Sequence, residues 1–346
     1  MESGACVGPR RAPVAHARPI RRAAARVCGR LAIGTTAGVL LAAVGYAGVC
    51  GYMALALTQP KRQPFGHTPE QYGLAYETVA FPSRVDHVPL EGWLVPPQPA
   101  PPADAAPADG VAAGPDRRRP PIVLVHGRGG DRQDSAYGRT LEIAAHLARQ
   151  GYPALLFDLR GSGRSGGTRY TLGAQEVRDV GGAIDLLERR GLAGDGVILL
   201  GYSMGASTAV LAAPGEAPGR VRAVVEDSGF ADLGEILDMR GPRESGLPGI
   251  FTPGMVLMAR PLMGVNAYAI RPVAAAPALA ARGVPLLVIH GEADAFIPVR
   301  HGHRLAAAYG PRVETYFVPG ADHTGGYKAD PAAYLARLSA FLAGNA

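Results

Sequence analysis

The sequence predicts an α/β protein: a doubly wound, mostly parallel sheet entered through an antiparallel hairpin and preceded by one long apolar helix. Three observations carry that expectation. Six apolar runs between Ile122 and Val318 alternate with helical stretches, the pattern of strands buried on both faces and joined by crossover helices. Residues with chemistry in them, above all Ser203, Asp294 and His323, fall just after such runs, where open α/β sheets bind their ligands. Leu31 to Thr58 holds no charged residue, over a length exceeding the roughly 20 residues that a bilayer crossing requires.

Taken in order, residues 1–30 are rich in Arg, Ala and Pro without periodicity and read as a disordered basic tail. Residues 31–58 read as a transmembrane anchor, although five glycines weaken it as a helix. With seven arginines before the span and only Lys61 and Arg62 close after it, the N-terminus is expected in the cytoplasm and the body on the other side. The rival is a signal peptide with Ala54-Leu55-Ala56 as cleavage site, giving a secreted body, but its apolar region would be unusually long. After a linker, 59–72, the body runs over 73–346. Tyr76–Phe81 and Val88–Val95 read as an antiparallel pair turned at Pro82 and Asp86. Residues 96–119 are a low-complexity insertion, too poor in large apolar side chains to form core.

The parallel strands are expected at Ile122–Val125, Ala154–Phe157, Val197–Leu200, Val221–Val225, Pro285–Ile289 and Thr315–Val318. Helices are expected at Thr140–Gln150, Gln175–Arg190, Ser203–Ala213, Val299–Tyr309 and Pro331–Leu342; in the second, Val177, Val180, Ile184 and Leu187 form the stripe that would pack on the sheet. Between Phe230 and Leu279 lies an insertion with many helix breakers and apolar side chains, Phe251, Met255 and Leu262 among them.

Composition narrows the function. A chain of 346 residues, 47% hydrophobic, can bury a full core. The net charge of +6 comes from the N-terminal tail: with its seven arginines and one glutamate set aside, 28 basic and 28 acidic residues remain, and nucleic-acid binding loses its main support. All three cysteines precede residue 51, so the body has no disulfide, thiolate metal site or catalytic cysteine. His301 and His303 are two apart on a predicted helix and face different ways, so no metal and no cofactor is expected.

The chemistry gathers at Gly201-Tyr202-Ser203-Met204-Gly205. An apolar strand leads in, a small-residue helix leads out, and the glycines permit a turn too tight for a β-carbon. Ser203 would stand strained and exposed at the strand tip, as a nucleophile. A serine hydroxyl needs a base, and the base an orienting acid. Of nine histidines, His323 lies just beyond the last strand in a glycine-containing loop, whereas His126 and His290 end strands in His-Gly and are expected to shape loops. Asp294, after the preceding strand, is the preferred acid, with Asp227 and Asp322 as competitors.

The order Ser203, Asp294, His323 is similar to that of the α/β-hydrolase superfamily, and the resemblance covers about Tyr72 to Leu342. Val125-His126-Gly127-Arg128-Gly129-Gly130 resembles the family's oxyanion loop, and Asp158 to Ser165 its loop after the next strand. Gly92-Trp93-Leu94-Val95-Pro96 resembles the entry of the membrane-anchored bacterial branch, serine aminopeptidase-like or depalmitoylase-like hydrolases. The resemblance implies an α/β-hydrolase fold, a cap over 230–280, and an oxyanion hole from the backbone amides of Arg128 and Met204. The Arg128 side chain would then bind an anionic substrate group, point to solvent or pair with Asp131. The expected function is a membrane-anchored serine hydrolase cleaving carboxylic esters or thioesters of a small-molecule or lipid-like acyl substrate. A serine peptidase of the same fold and a non-catalytic tethered binding module are the alternatives.

Overall fold

The strands form where apolar runs are bounded by turns: β1 (Glu77–Pro82), β2 (Pro89–Val95), β3 (Ile122–Val125), β4 (Ala154–Phe157), β5 (Val197–Tyr202), β6 (Val221–Asp227), β7 (Leu286–Gly291) and β8 (Glu314–Val318). They make one sheet in the order β1-β2-β4-β3-β5-β6-β7-β8. The first two pairings are antiparallel and the rest parallel. The computed structural model describes residues 17–60, 62, 64–98, 119–133 and 139–345, with Gly4 and Gly8. Nearly all of the tail before Ala17 and of the low-complexity insertion therefore lies outside the described residues.

The chain divides into two units, Met1–Val49 and Cys50–Ala346. The helix α1 (Ala17–Leu57) begins well before the apolar stretch, because the arginines and alanines between Ala17 and Arg30 are strong helix formers once an apolar helix follows them. Within Arg26–Leu57 its most apolar 18-residue stretch has a mean hydropathy of 1.9, and among the described residues it is the one helix long and apolar enough to cross a membrane. Thr35 and Thr36 turn their hydroxyls back onto the carbonyls of Leu31 and Ala32, which satisfies these donors without water. Its last two turns count with the second unit, where Cys50, Met53 and Ala54 are buried.

Helices α2 (Thr140–Arg149) and α10 (Pro331–Asn345), with the short α9 (Gly326–Ala329), cover one face of the sheet; α3 (Glu176–Arg189), α4 (Met204–Ala212), α7 (Pro272–Ala281) and α8 (Arg300–Tyr309) cover the other. Val180, Ile184 and Leu187 of the α3 stripe are fully buried, while Val177 is only half-buried. The acids Glu176 and Asp179 are fully buried on the same helix, because Glu176 accepts from Thr171 and Gly173 and Asp179 binds Arg160.

Strands β5 and β6 run two residues further than their apolar runs, pairing Gly201 with Glu226 and Tyr202 with Asp227. That extension sets the level at which the turn at Ser203 begins. Between β6 and β7 the inserted segment forms α5 (Leu233–Ser245), capped by the Asp232 carboxylate on the Glu235 amide, and α6 (Phe251–Met263). The sequence extends the insertion to residue 280, but α7 belongs to the layer beside α4 and α8, with Ala276 and Leu279 fully buried. Its alanine-rich sequence carries no apolar stripe, and the parallel β6–β7 pairing supplies the reason for a crossover helix there.

Candidate active site

Ser203 sits where β5 hands over to α4, at φ 53° and ψ −119°, a region that costs a non-glycine residue about 1–3 kcal/mol unless its surroundings impose it. They do. Its amide donates to the Asp227 carbonyl at 2.8 Å, and the flanking glycines allow the turn to close. A β-carbon on Gly201 would lie 2.3 Å from the Gly205 carbonyl oxygen, and one on Gly205 would lie 2.1 Å from that of Val125. Strand, turn and helix are thus packed backbone to backbone, and the hydroxyl is held beyond the C-terminal end of the interior strand β5.

The loops after β7 and β8 bring the partners to it. His323 Nδ1 donates to Asp294 Oδ2 at 2.7 Å, which leaves Nε2 as acceptor for the Ser203 hydroxyl at 2.8 Å. The imidazole also packs on the Phe296 ring, centroid to centroid 4.8 Å. Asp294 is held from the other side: its Oδ1 accepts from the amides of Phe296 and Ile297, both at 2.8 Å. Burial opposes its ionisation, but hydrogen bonds from His290 and His323, and then from the Ile297 amide, outweigh burial and hold its carboxyl at about 2.

Of the competing acids, Asp227 is occupied by the Tyr334 hydroxyl at 2.9 Å and the Ser228 hydroxyl at 2.8 Å, and burial pushes its pKa up. Asp322 is exposed. His290 is a member of the cluster that sequence reasoning assigned only to loop shape. Its Nε2 donates to the Ile297 carbonyl at 2.7 Å and lies 3.3 Å from Asp294 Oδ2, so two imidazoles share one carboxylate. Burial disfavours protonated His290, yet Asp294, Glu226 and Ile297 together raise its pKa. The available signal was the spacing: a histidine four residues before the acid, on the same strand-end loop. His126 does shape its loop, accepting from the Leu159 amide at 2.9 Å and donating to the Gly127 carbonyl at 2.8 Å.

Gly127 lies against Ser203, where a β-carbon would come only 3.2 Å from that of the serine, and Arg128 follows it. No hydrogen bond among the described residues uses the amide of Arg128 or of Met204. The Arg128 guanidinium bridges Glu244 of α5 at 2.9 Å, and Arg240 bridges the same carboxylate at 3.0 Å while lying over the Phe296 ring. In the next loop, Asp158 accepts from the amides of Arg132 and Arg164, and Arg160 binds Asp86 and Asp179, so these charges build the loops. His301 is buried, while His303 is exposed and stacks on Phe317. Among the described residues no group of three or more His, Cys, Asp or Glu is placed to hold a metal ion.

A cavity of about 470 Å³, partly open to solvent, stands over Ser203. Leu172, Met204, Phe230, Leu233, Ile236 and Leu237 give it an apolar wall, and Arg128, Arg240 and Glu244 a charged rim. The arrangement offers a hydroxyl with a proton acceptor, an acid to steady that acceptor, and an apolar recess beside them.

A sequence profile described as the alpha/beta hydrolase fold matches residues 120–252. The chain is similar to the uncharacterized protein YfhR of Salmonella typhi, 27% identical over 279 residues that are 78% of this chain and 80% of that protein. Among solved structures, the Pyrococcus furiosus esterase Pf2001 superposes with a TM-score of 0.64 at 21% identity, covering 84% of this chain and 98% of its own. The Pyrococcus horikoshii acylaminoacyl peptidase superposes with a TM-score of 0.54 at 18% identity, covering 78% of this chain and 41% of its own. At such identities the structural likeness is one of fold.

Proposed function

We propose that the chain, of which residues 120–252 match a profile of the alpha/beta hydrolase fold, is a serine hydrolase of that fold cleaving carboxylic esters or thioesters through an acyl-enzyme on Ser203. The observation that carries the reading is the unbroken hydrogen-bonded line from Ser203 through His323 to Asp294, at 2.8 and 2.7 Å. Ser203 Oγ attacks the acyl carbonyl as its proton passes to His323 Nε2, and Asp294 holds the imidazole and stabilises the imidazolium. The amides of Arg128 and Met204 serve the oxyanion. Collapse breaks the bond to the leaving oxygen or sulfur, which takes the proton from His323. Water, deprotonated by the same nitrogen, then releases the acid and restores Ser203.

An esterase among the structural neighbours supports ester chemistry, and the peptidase neighbour keeps peptide cleavage as the second reading. A peptidase that grips an amino terminus needs a carboxylate to spare. Glu244 is the one carboxylate among the described residues lining the cavity, and both of its neighbouring arginines bind it, which favours the ester reading. A binding module without catalysis has no use for a strained serine on a satisfied imidazole. Membrane attachment through α1 is part of the proposal, with the body extracytoplasmic. Burial of Cys50, Met53 and Ala54 supports an uncleaved helix, since cleavage after Ala56 would strip them from the body.

The test is active-site labelling with a fluorophosphonate. The wild type should label and hydrolyse nitrophenyl esters, and Ser203→Ala should do neither, with a loss of about a million-fold in kcat. Equal labelling of the two proteins would sink the reading.

A further inference from the structure

The recess at Ser203 shares a wall with a second recess of about 350 Å³, itself partly open to solvent: Leu57, Leu172, Leu233 and Leu237 line both. Beyond that shared wall the second cavity lies between Ala54 of α1 and Val256 and Ala259 of α6. Two threonines reach it, but their hydroxyls are engaged elsewhere: Thr58 donates to the Ala54 carbonyl at 2.8 Å and Thr171 to Glu176 at 2.7 Å. The lining therefore presents hydrocarbon, and a polar occupant would lose its hydrogen bonds with water and gain none.

The end of α1 is a fixed part of this wall. Arg169 donates to the Leu55 carbonyl at 2.5 Å, where a helix C-terminus favours a cation, and Thr58 Oγ1 contacts Met263 Sδ at 3.2 Å. Gly51 faces α6, where a β-carbon would make ordinary van der Waals contact with Leu262 and Met258 at 3.6 and 3.7 Å.

Resting on the serine-hydrolase reading, we infer that the last two turns of α1 and the cap helix α6 together form an acyl-chain site. The substrate is accordingly an ester or thioester of a medium- or long-chain fatty acid, its carbonyl at Ser203 and its chain passing the four shared leucine positions into the second cavity. The N-terminal helix then has a role in substrate selection: Leu57 sets the width of the passage and Ala259 the depth of the far end.

The experiment uses the full chain in detergent micelles and compares kcat/KM for p-nitrophenyl butyrate and laurate. Ala259→Phe fills the far cavity and should lower the laurate-to-butyrate ratio by about tenfold, the scale of one or two methylenes denied apolar contact. Leu57→Ala widens the passage and should raise the ratio. A ratio unchanged in both variants overturns the inference. If Ala259→Phe fails to label with fluorophosphonate at the wild-type rate, its fold is damaged and Leu57→Ala decides alone, an unchanged or lowered ratio overturning the inference. A wild type that neither labels nor hydrolyses overturns the hydrolase reading and this one with it, whereas an active wild type with unmoved ratios overturns only the acyl-chain site.

Discussion

Replacing Asp294 by asparagine preserves shape and removes one charge, and the surroundings determine which way the new amide faces. Two backbone amides, of Phe296 and Ile297, donate to Oδ1 at 2.8 Å, so the asparagine oxygen must take that seat. Its NH2 then takes the place of Oδ2, 2.7 Å from His323 Nδ1, donor against donor. The imidazole relieves this by moving its proton to Nε2, which turns a hydrogen toward Ser203 and abolishes the base. From that wrong tautomer a loss of about ten-thousand-fold in kcat is expected, with KM little changed. Stability responds as well. A carboxyl moved from 3.8 to about 2 is linked to about 2 kcal/mol of folding free energy at neutral pH. Because the folded value is the lower one, that contribution is fully present above about 3.8 and fades as pH falls toward 2; in Asp294→Asn this part of the pH dependence should vanish. Ester hydrolysis and urea unfolding across acid pH read the two effects. A variant retaining kcat within tenfold of wild type would refute the assignment of Asp294 and the tautomer argument together.

Three further outcomes are expected. Gly205→Ala places a β-carbon 2.1 Å from the Val125 carbonyl oxygen, backbone against backbone, and should cost about 3 kcal/mol in urea unfolding; a wild-type midpoint would contradict the packing of the turn. Arg128→Ala keeps the backbone amide proposed for the oxyanion and removes only the bridge to Glu244, so kcat/KM for a neutral ester should fall by less than about tenfold, whereas a larger drop would place the guanidinium itself in the oxyanion site. A reporter fused after Arg62 should be active outside the cytoplasm, and activity confined to the cytoplasm would reverse the proposed topology.

Sequence alone determined the features that rest on local physics. Apolar runs such as Ile122–Val125 and Ala154–Phe157 are strands at the predicted residues, because a strand buried on both faces has to be apolar throughout. The glycines around Ser203 were legible because the clash that they avoid is a property of the turn itself. Ser203, Asp294 and His323 were singled out through their places after strands, and the structure brings all three within hydrogen-bonding distance. Tertiary structure decided what depends on residues far apart in the chain. It gave Asp294 a second imidazole in His290, tied Arg128 to Glu244 some 116 residues away, and moved α7 out of the inserted segment into the sheet layer. It also gave the end of the N-terminal helix to the body. In sequence, Cys50 to Leu57 continues the apolar run that is expected to span a membrane; in space, its buried face lies on α6, and lipid and protein interior demand the same side chains. Composition cannot separate those two solvents, and only the packing of the chain does.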